Sequence, residues 1–223
     1  MLDRSQRRRD ATRTEIKAAA RDQLVKGGPG SISLRAIARD MGLTAPALYR
    51  YYPALDSLIL ELCTDLYTEL RLSCEAERDR VPKNDLEKRL QVMCREFRRW
   101  VLSHPPEAAL MFGPPLPGVD QFIDQCSDLQ NAGACFGQMF IEPMMVLHAQ
   151  GRLPAAKASV GPLRAHGDLP EPVAAFFLSA WIRIYGAIMS EAFGHLSWAV
   201  ADGTAIFEAE VQTLTESLVS KNG

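Results

Sequence analysis

The chain has 223 residues, 47% of them hydrophobic and 23% charged, with a formal net charge of −2. These totals are ordinary for a soluble globular protein with a sizeable core, and the whole-chain charge singles out no partner. The charge is unevenly spread: residues 1–52 carry eleven Lys/Arg against five Asp/Glu (net +6), and the other 171 carry fourteen against twenty-two (net −8). A basic head on an acidic body is the layout expected when only the head meets phosphate.

The N-terminus, MLDRSQRRRD, has no apolar stretch and does not read as a signal peptide. Residues 1–9 are expected to form an arm whose Arg4, Arg7, Arg8 and Arg9 either touch DNA phosphate or stay solvated. A first helix is predicted over about 10–26, with Ile16, Ala19, Ala20 and Leu24 inward, stopped by Gly27-Gly28-Pro29-Gly30. That glycine cluster is no phosphate loop, since no strand precedes it and no Lys-Ser/Thr follows.

Residues 33–52, SLRAIARDMGLTAPALYRYY, read as two short helices about a tight turn. Leu34, Ile37, Ala38 and Met41 share one helical face, and Gly42 suits a positive-φ stop. Thr44 can cap the second helix, and Pro46 sits in its first turn, where the missing N–H costs little. Leu48, with Tyr49 or Tyr52, gives that helix its inward side. Ser-Leu-Arg-x-Ile-Ala-x-x-Met-Gly-Leu-Thr-x-x-x-Leu-Tyr-x-Tyr-Tyr resembles the DNA-binding domain of the TetR (tetracycline-repressor-like) family.

Beyond the motif, helices are predicted over about 55–79, 85–103, 107–112, 119–150, 171–196 and 202–219, with a kink or break near Pro143 and a long connection over 151–171. No strand candidate or internal repeat is found. Residues 172–190 are nearly all apolar but include Ser179, Arg183 and Tyr185, which favours a buried helix over a membrane span. Met111-Phe112-Gly113 through Pro117-Gly118, and Trp181-x-x-x-Tyr185-Gly186 with Glu191 and Gly194, resemble the C-terminal domain of a subset of TetR-like regulators. That subset carries Trp-x-x-x-His-Gly, so Tyr185 departs from its pattern.

The expected fold is all-α: an N-terminal three-helix helix-turn-helix DNA-binding domain over 10–55 and a helical effector-binding and dimerisation domain over 56–223, about nine helices in all. The resemblance implies a ligand-responsive regulator, a repressor released from a palindromic operator, with an activator or a dimeric adaptor that has lost DNA binding as alternatives. Ser33, Arg35, Thr44, Ala45, Pro46, Ala47, Tyr49, Arg50 and Tyr51 are the candidate DNA contacts. Arg50 is the one strong donor on the second helix of the motif. The family's basic residue at the start of the following helix is replaced here by Leu55, with Ala54 at the usual Ser cap.

Trp100, Phe136, Met139, Phe140, Met144, Trp181 and Tyr185 are candidates to line a cavity for a small hydrophobic effector. Phe177, Ile184, Ile188, Phe207, Val211, Leu214 and Leu218 are candidates for a two-fold homodimer interface. Four scattered His, with no H-E-x-x-H, G-x-S-x-G, dinucleotide fingerprint or zinc spacing, argue against an enzyme, a metal or a cofactor. Five Cys, odd in number and without C-x-x-C, read as reduced thiols of a cytoplasmic protein.

Overall fold

The computed structural model describes residues 4–114, 116, 128–154 and 169–219. Among them are α1 (Arg4–Gly27), a 3-10 turn (Pro29–Ser31), α2 (Leu34–Asp40), α3 (Ala45–Tyr49), α4 (Leu55–Asp79), α5 (Leu86–Ser103), α6 (Pro105–Phe112), α7 (Asp128–Ala149), α8 (Glu171–Ala192) and α9 (Thr204–Val219), with no strand.

Three local expectations are corrected. The arginines assigned to an arm are helical from Arg4 onward. Arg and Gln are good helix formers, and the Gln6 amide donates to Asp10 Oδ1 one turn on, at 2.9 Å. The helix continues through Pro143 without a break. Buried Phe136, Met139, Phe140, Met144 and Leu147 hold the helix on both sides of that residue, and this packing outweighs the one lost backbone bond. Near the C-terminus, α8 stops at Ala192, because Gly194 turns the chain at φ 71°. Residues 117–127, part of the predicted 119–150 helix, and 155–168 of the predicted connection lie outside the described residues.

The chain divides into two compact units, Met1–Glu69 with His104–Gly133, and Leu70–Ser103 with Ala134–Gly223. The division falls inside α4 and groups α6 with the first unit. In the first unit Ile16, Ala20 and Leu24 of α1 are fully buried, as are Ile37, Leu48, Tyr52, Leu58 and Ile59. Each such Ile or Leu side chain contributes about 1.5–3 kcal/mol of gross burial energy.

In the second unit α5, α8 and α9 pack on one another. Phe97, Val173, Ile188, Phe207 and Val211 are essentially inaccessible. Arg98 of α5 donates to both carboxylate oxygens of Glu191 at 2.7 Å and to Thr204 Oγ1 at 2.8 Å, joining the end of α8 to the start of α9. Glu191 also accepts the Gly203 N–H at 3.0 Å. A Cβ at Gly203 would stand 2.8 Å from the Glu191 carboxyl carbon, so a larger residue here would push on the carboxylate that Arg98 holds. Arg95 grips Glu208 of α9 with bonds of 2.7–3.1 Å.

α8 alone is long and apolar enough to cross a membrane among the described residues, and 44% of its most apolar stretch is buried within the chain. Its Arg183 pairs with Glu210 of α9 at 2.5 Å. Both observations fit the expected core helix.

Candidate functional site

The head's motif forms because each of its ends has a partner. Ser33 Oγ accepts the Ala36 N–H at 3.4 Å and caps α2; Thr44 Oγ1 accepts the Ala47 N–H at 3.3 Å and caps α3. Between them Gly42 sits at φ 66°. Leu43 N–H bonds Ala38 O at 2.8 Å and Gly42 N–H bonds Arg39 O at 3.1 Å, the paired closure of a Schellman turn. α2 and α3 pack on each other, with Ile37 and Leu48 buried between them and the rest of the unit.

This leaves one side of α3 to solvent. Thr44, Pro46, Tyr49 and Arg50 are exposed, Ala45, Ala47 and Tyr51 half-buried, and Arg35 on α2 is exposed with Ser33 half-buried beside it. The candidate DNA contacts thus fall on one accessible edge, with small side chains at the front of α3 and a cation at its end. Of the two tyrosines left open for the inward role, Tyr52 takes it, fully buried, while Tyr49 is 40% exposed.

Tyr52 is held by a group the sequence did not reveal. Arg13 of α1 lies 4.7 Å from the Tyr52 ring centroid, donates to Tyr51 O at 3.4 Å, and pairs with Glu61 of α4. Lys17 pairs with Glu61 at 3.3 Å and with Asp65, and Arg21 with Glu69 at 2.6 Å and with buried Glu107 of α6 at 3.1 Å. Cations at 13, 17 and 21 therefore match acids at 61, 65 and 69, so α1 and α4 run parallel at a constant offset. Burial works against ionisation of Glu61, but its bond from Arg13, with Tyr52 and Lys17, holds its carboxyl below the usual range. Burial, with Glu61 alongside, pushes the Tyr52 hydroxyl far up. The readable signal was two four-residue charge stripes, each of which alone looks like a solvated helix face.

The second unit carries an aromatic cluster centred on Trp181. Its ring stacks on Phe97 (5.9 Å, 12°) and Tyr185 (5.8 Å, 23°), meets Phe136 and Phe140 edge-on, and leans on Phe177. Beside it is a cavity of about 20 Å³, lined by Phe140, Met144 and Trp181 as expected. Leu90, Cys94 and Phe97 of α5 complete one wall, and Phe177, Ala180, Ile184 and Leu214 the other. None of these side chains is charged, and apart from the Trp181 indole N–H and the Cys94 thiol all are hydrocarbon or thioether. Phe136 and Tyr185 support the cluster from behind Trp181. Trp100 and Met139 are buried but are not part of the lining. Burial pushes the Cys94 thiol up to about 12, so it is neutral at physiological pH.

The residues expected at a dimer interface are packed within the chain. Ile184, Ile188, Phe207, Val211, Leu214 and Leu218 are each 6% exposed or less within a single chain, and Phe177 is half-buried and faces the cavity. The stripe on α9 meets the chain's own α5, as the Arg95–Glu208 pair requires, and leaves no area for a partner there.

Residues 16–62 match the family model for bacterial regulatory proteins of the tetR family, and residues 90–214 the tetracyclin repressor-like C-terminal domain. The HTH-type transcriptional regulator Rv1816 of Mycobacterium tuberculosis is 27% identical over 239 aligned positions, 95% of each chain. Among solved structures, the regulatory protein SCO4313 is 28% identical with a TM-score of 0.71, covering 96% of this chain and 98% of that one. RolR, solved with resorcinol, shares the fold at 14% identity and a TM-score of 0.59, covering 95% of both chains.

Proposed function

Because the chain belongs to the TetR family of bacterial transcriptional regulators, we propose that it is a homodimeric cytoplasmic repressor, released from a palindromic operator by a small uncharged apolar effector. The observation that carries the effector half is the Trp181 cavity: no lining side chain is charged, and the hydrogen-bonding groups among them are the Trp181 indole N–H and the Cys94 thiol. RolR was solved with a small aromatic compound. The chemistry of the lining favours an uncharged aromatic or aliphatic molecule, for which the cavity of about 20 Å³ must widen.

The operator half is supported by the accessible edge of α3. Its small leading residues suit thymine methyls, and Arg50 suits guanine or phosphate. With so few base donors, one head gives limited specificity, and two heads on half-sites about 34–36 Å apart would double it. The partner face falls on the exposed side of α8 and α9, where Ile182 is 68% and Ile206 42% exposed. Helix α4, which belongs to both compact units, is the natural lever between effector and head. A 10- to 100-fold loss of DNA affinity needs a coupling of about 1.4–2.8 kcal/mol.

The test is a gel shift with duplex DNA from upstream of the chain's own gene, repeated with an apolar aromatic library and paired with thermal shift. A retarded complex that such a compound both dissolves and replaces with a higher melting temperature supports the proposal. Retardation that no member of the library alters would overturn the effector reading, and tighter binding with effector would make the protein an activator or co-repressor-dependent.

A further inference from the structure

We infer that the arginine-rich first turns of α1 are a second DNA-binding element, which grips duplex phosphate beside the recognition helix. The inference rests on the DNA-binding reading above and concerns residues outside the helix-turn-helix motif. α1 is helical from Arg4, yet its first buried side chain is Ile16, and residues 4–11 are exposed throughout. About 12 Å of helix, at 1.5 Å per residue, thus projects beyond the packed part of the head.

The register of the charge ladder says where this overhang lies. Arg13 faces Glu61, Lys17 faces Asp65 and Arg21 faces Glu69, an offset of 48 residues in a parallel pair. Carried one and a half turns back, the same offset sets Arg7 level with Leu55, the first residue of α4. Arg4 and Arg8 then flank the turn that leads from α3 into α4. The Arg13 bond to Tyr51 O independently pins α1 beside that turn. The overhang is therefore continuous with the edge that carries Arg50.

Charge supplies the occupant. Between Arg50 and Arg71 the sequence holds no Lys or Arg, and the first turn of α4 carries Asp56. A phosphate backbone passing from Arg50 toward the first turn of α4 meets its next cations from α1. Arg4, Arg7 and Arg8 fall within about 100° of one another around the helix, opposite the face of Ile16, Ala20 and Leu24. Arg4, Arg8 and Arg9 have no ion pair among the described residues. Like charges at this spacing cost a helix a few tenths of a kcal/mol per pair, and a polyanion reverses that sign. An acidic protein surface would satisfy charge equally, but the continuity with α3 favours duplex DNA.

The experiment titrates wild type and the double variant Arg4→Gln/Arg8→Gln against the upstream duplex and a random-sequence duplex over a range of KCl concentrations. Each lost phosphate contact lowers the slope of log K on log [salt] by about 0.9. For a dimer losing up to four, the expected decrease is about 2–4, with affinity for both duplexes reduced alike and their ratio unchanged. Arg4→Lys/Arg8→Lys should keep the wild-type slope. The double Gln variant buries no altered side chain, so its melting temperature serves as the folding control. A wild-type-like slope in the Gln variant overturns the inference and leaves the regulator reading intact. A flat slope in the wild type itself overturns both.

Discussion

Replacing Trp181 by alanine should be among the costliest single changes in the second unit. The ring has five aromatic neighbours at 5.7–5.9 Å between centroids. At about 0.5–1.5 kcal/mol per pair these would sum to about 2.5–7.5 kcal/mol, an upper bound because the rings share faces. Truncation of a buried aromatic to alanine costs about 3–5 kcal/mol, and the partial exposure of Trp181 puts it near the lower figure. For a chain of this size about 3 kcal/mol lowers the melting temperature by roughly 6–12 °C. The assay is thermal unfolding of Trp181→Ala and Trp181→Phe, with and without indole. Phenylalanine keeps a stacking ring and should lose about half as much. The void left by alanine adjoins an apolar cavity, so indole should recover part of the loss in the Ala variant and little in wild type. A fall under about 3 °C, or an indole effect equal in both proteins, would refute the idea of a packed aromatic hub.

Three further outcomes follow from particular contacts. Gly203→Ala drives a Cβ into the Glu191 carboxylate and should lower stability by about 1–3 kcal/mol, measured by urea unfolding, while Gly133→Ala, which meets nothing within 4 Å, should not. Gly42→Ala forces an L side chain to φ 66° and should cost the head about 1–2 kcal/mol and weaken operator binding; unchanged unfolding of the head would contradict the turn. The Arg98 bond, against a smaller opposing pull from burial and helped by the Gly203 N–H, holds the Glu191 carboxyl below the usual range. The folded protein then binds that proton less readily than the unfolded chain. The stability from this group is present above the unfolded glutamate value, about 4.3, and is lost as pH falls through the lower folded one. Glu191→Gln should flatten the acid limb of a stability-versus-pH curve.

Much of the head was legible because its signals are local. Ser33, Gly42 and Thr44 each act on backbone groups within a few residues, and the sequence shows them in order. The charge ladder was not legible, because a cation at 13 and an acid at 61 become partners only once α1 and α4 lie side by side. The α9 stripe was ambiguous for a related reason. Phe207, Val211 and Leu214 form the same pattern whether they meet their own α5 or another chain. The deciding information is the Arg95–Glu208 and Arg98–Glu191 pairing, which joins positions more than ninety residues apart.

The size of the cavity constrains how an effector could work. About 20 Å³ is room for roughly one water molecule, far below the volume of any aromatic ring. One way to widen the cavity is to open one of the Trp181 stacks, and Ile182 on the neighbouring flank of α8 is 68% exposed. Each stack opened costs about 0.5–1.5 kcal/mol, which the effector must recover through its own contacts. Opening the stack on Phe97 or Phe140 would displace α5 or α7, whereas opening that on Tyr185 would stay within α8. A compound that binds without altering the head's DNA affinity would then have displaced only Tyr185 or Phe177, both on α8. One that separates Trp181 from Phe97 of α5, or from Phe136 or Phe140 of α7, supplies the difference between two states that a switch requires.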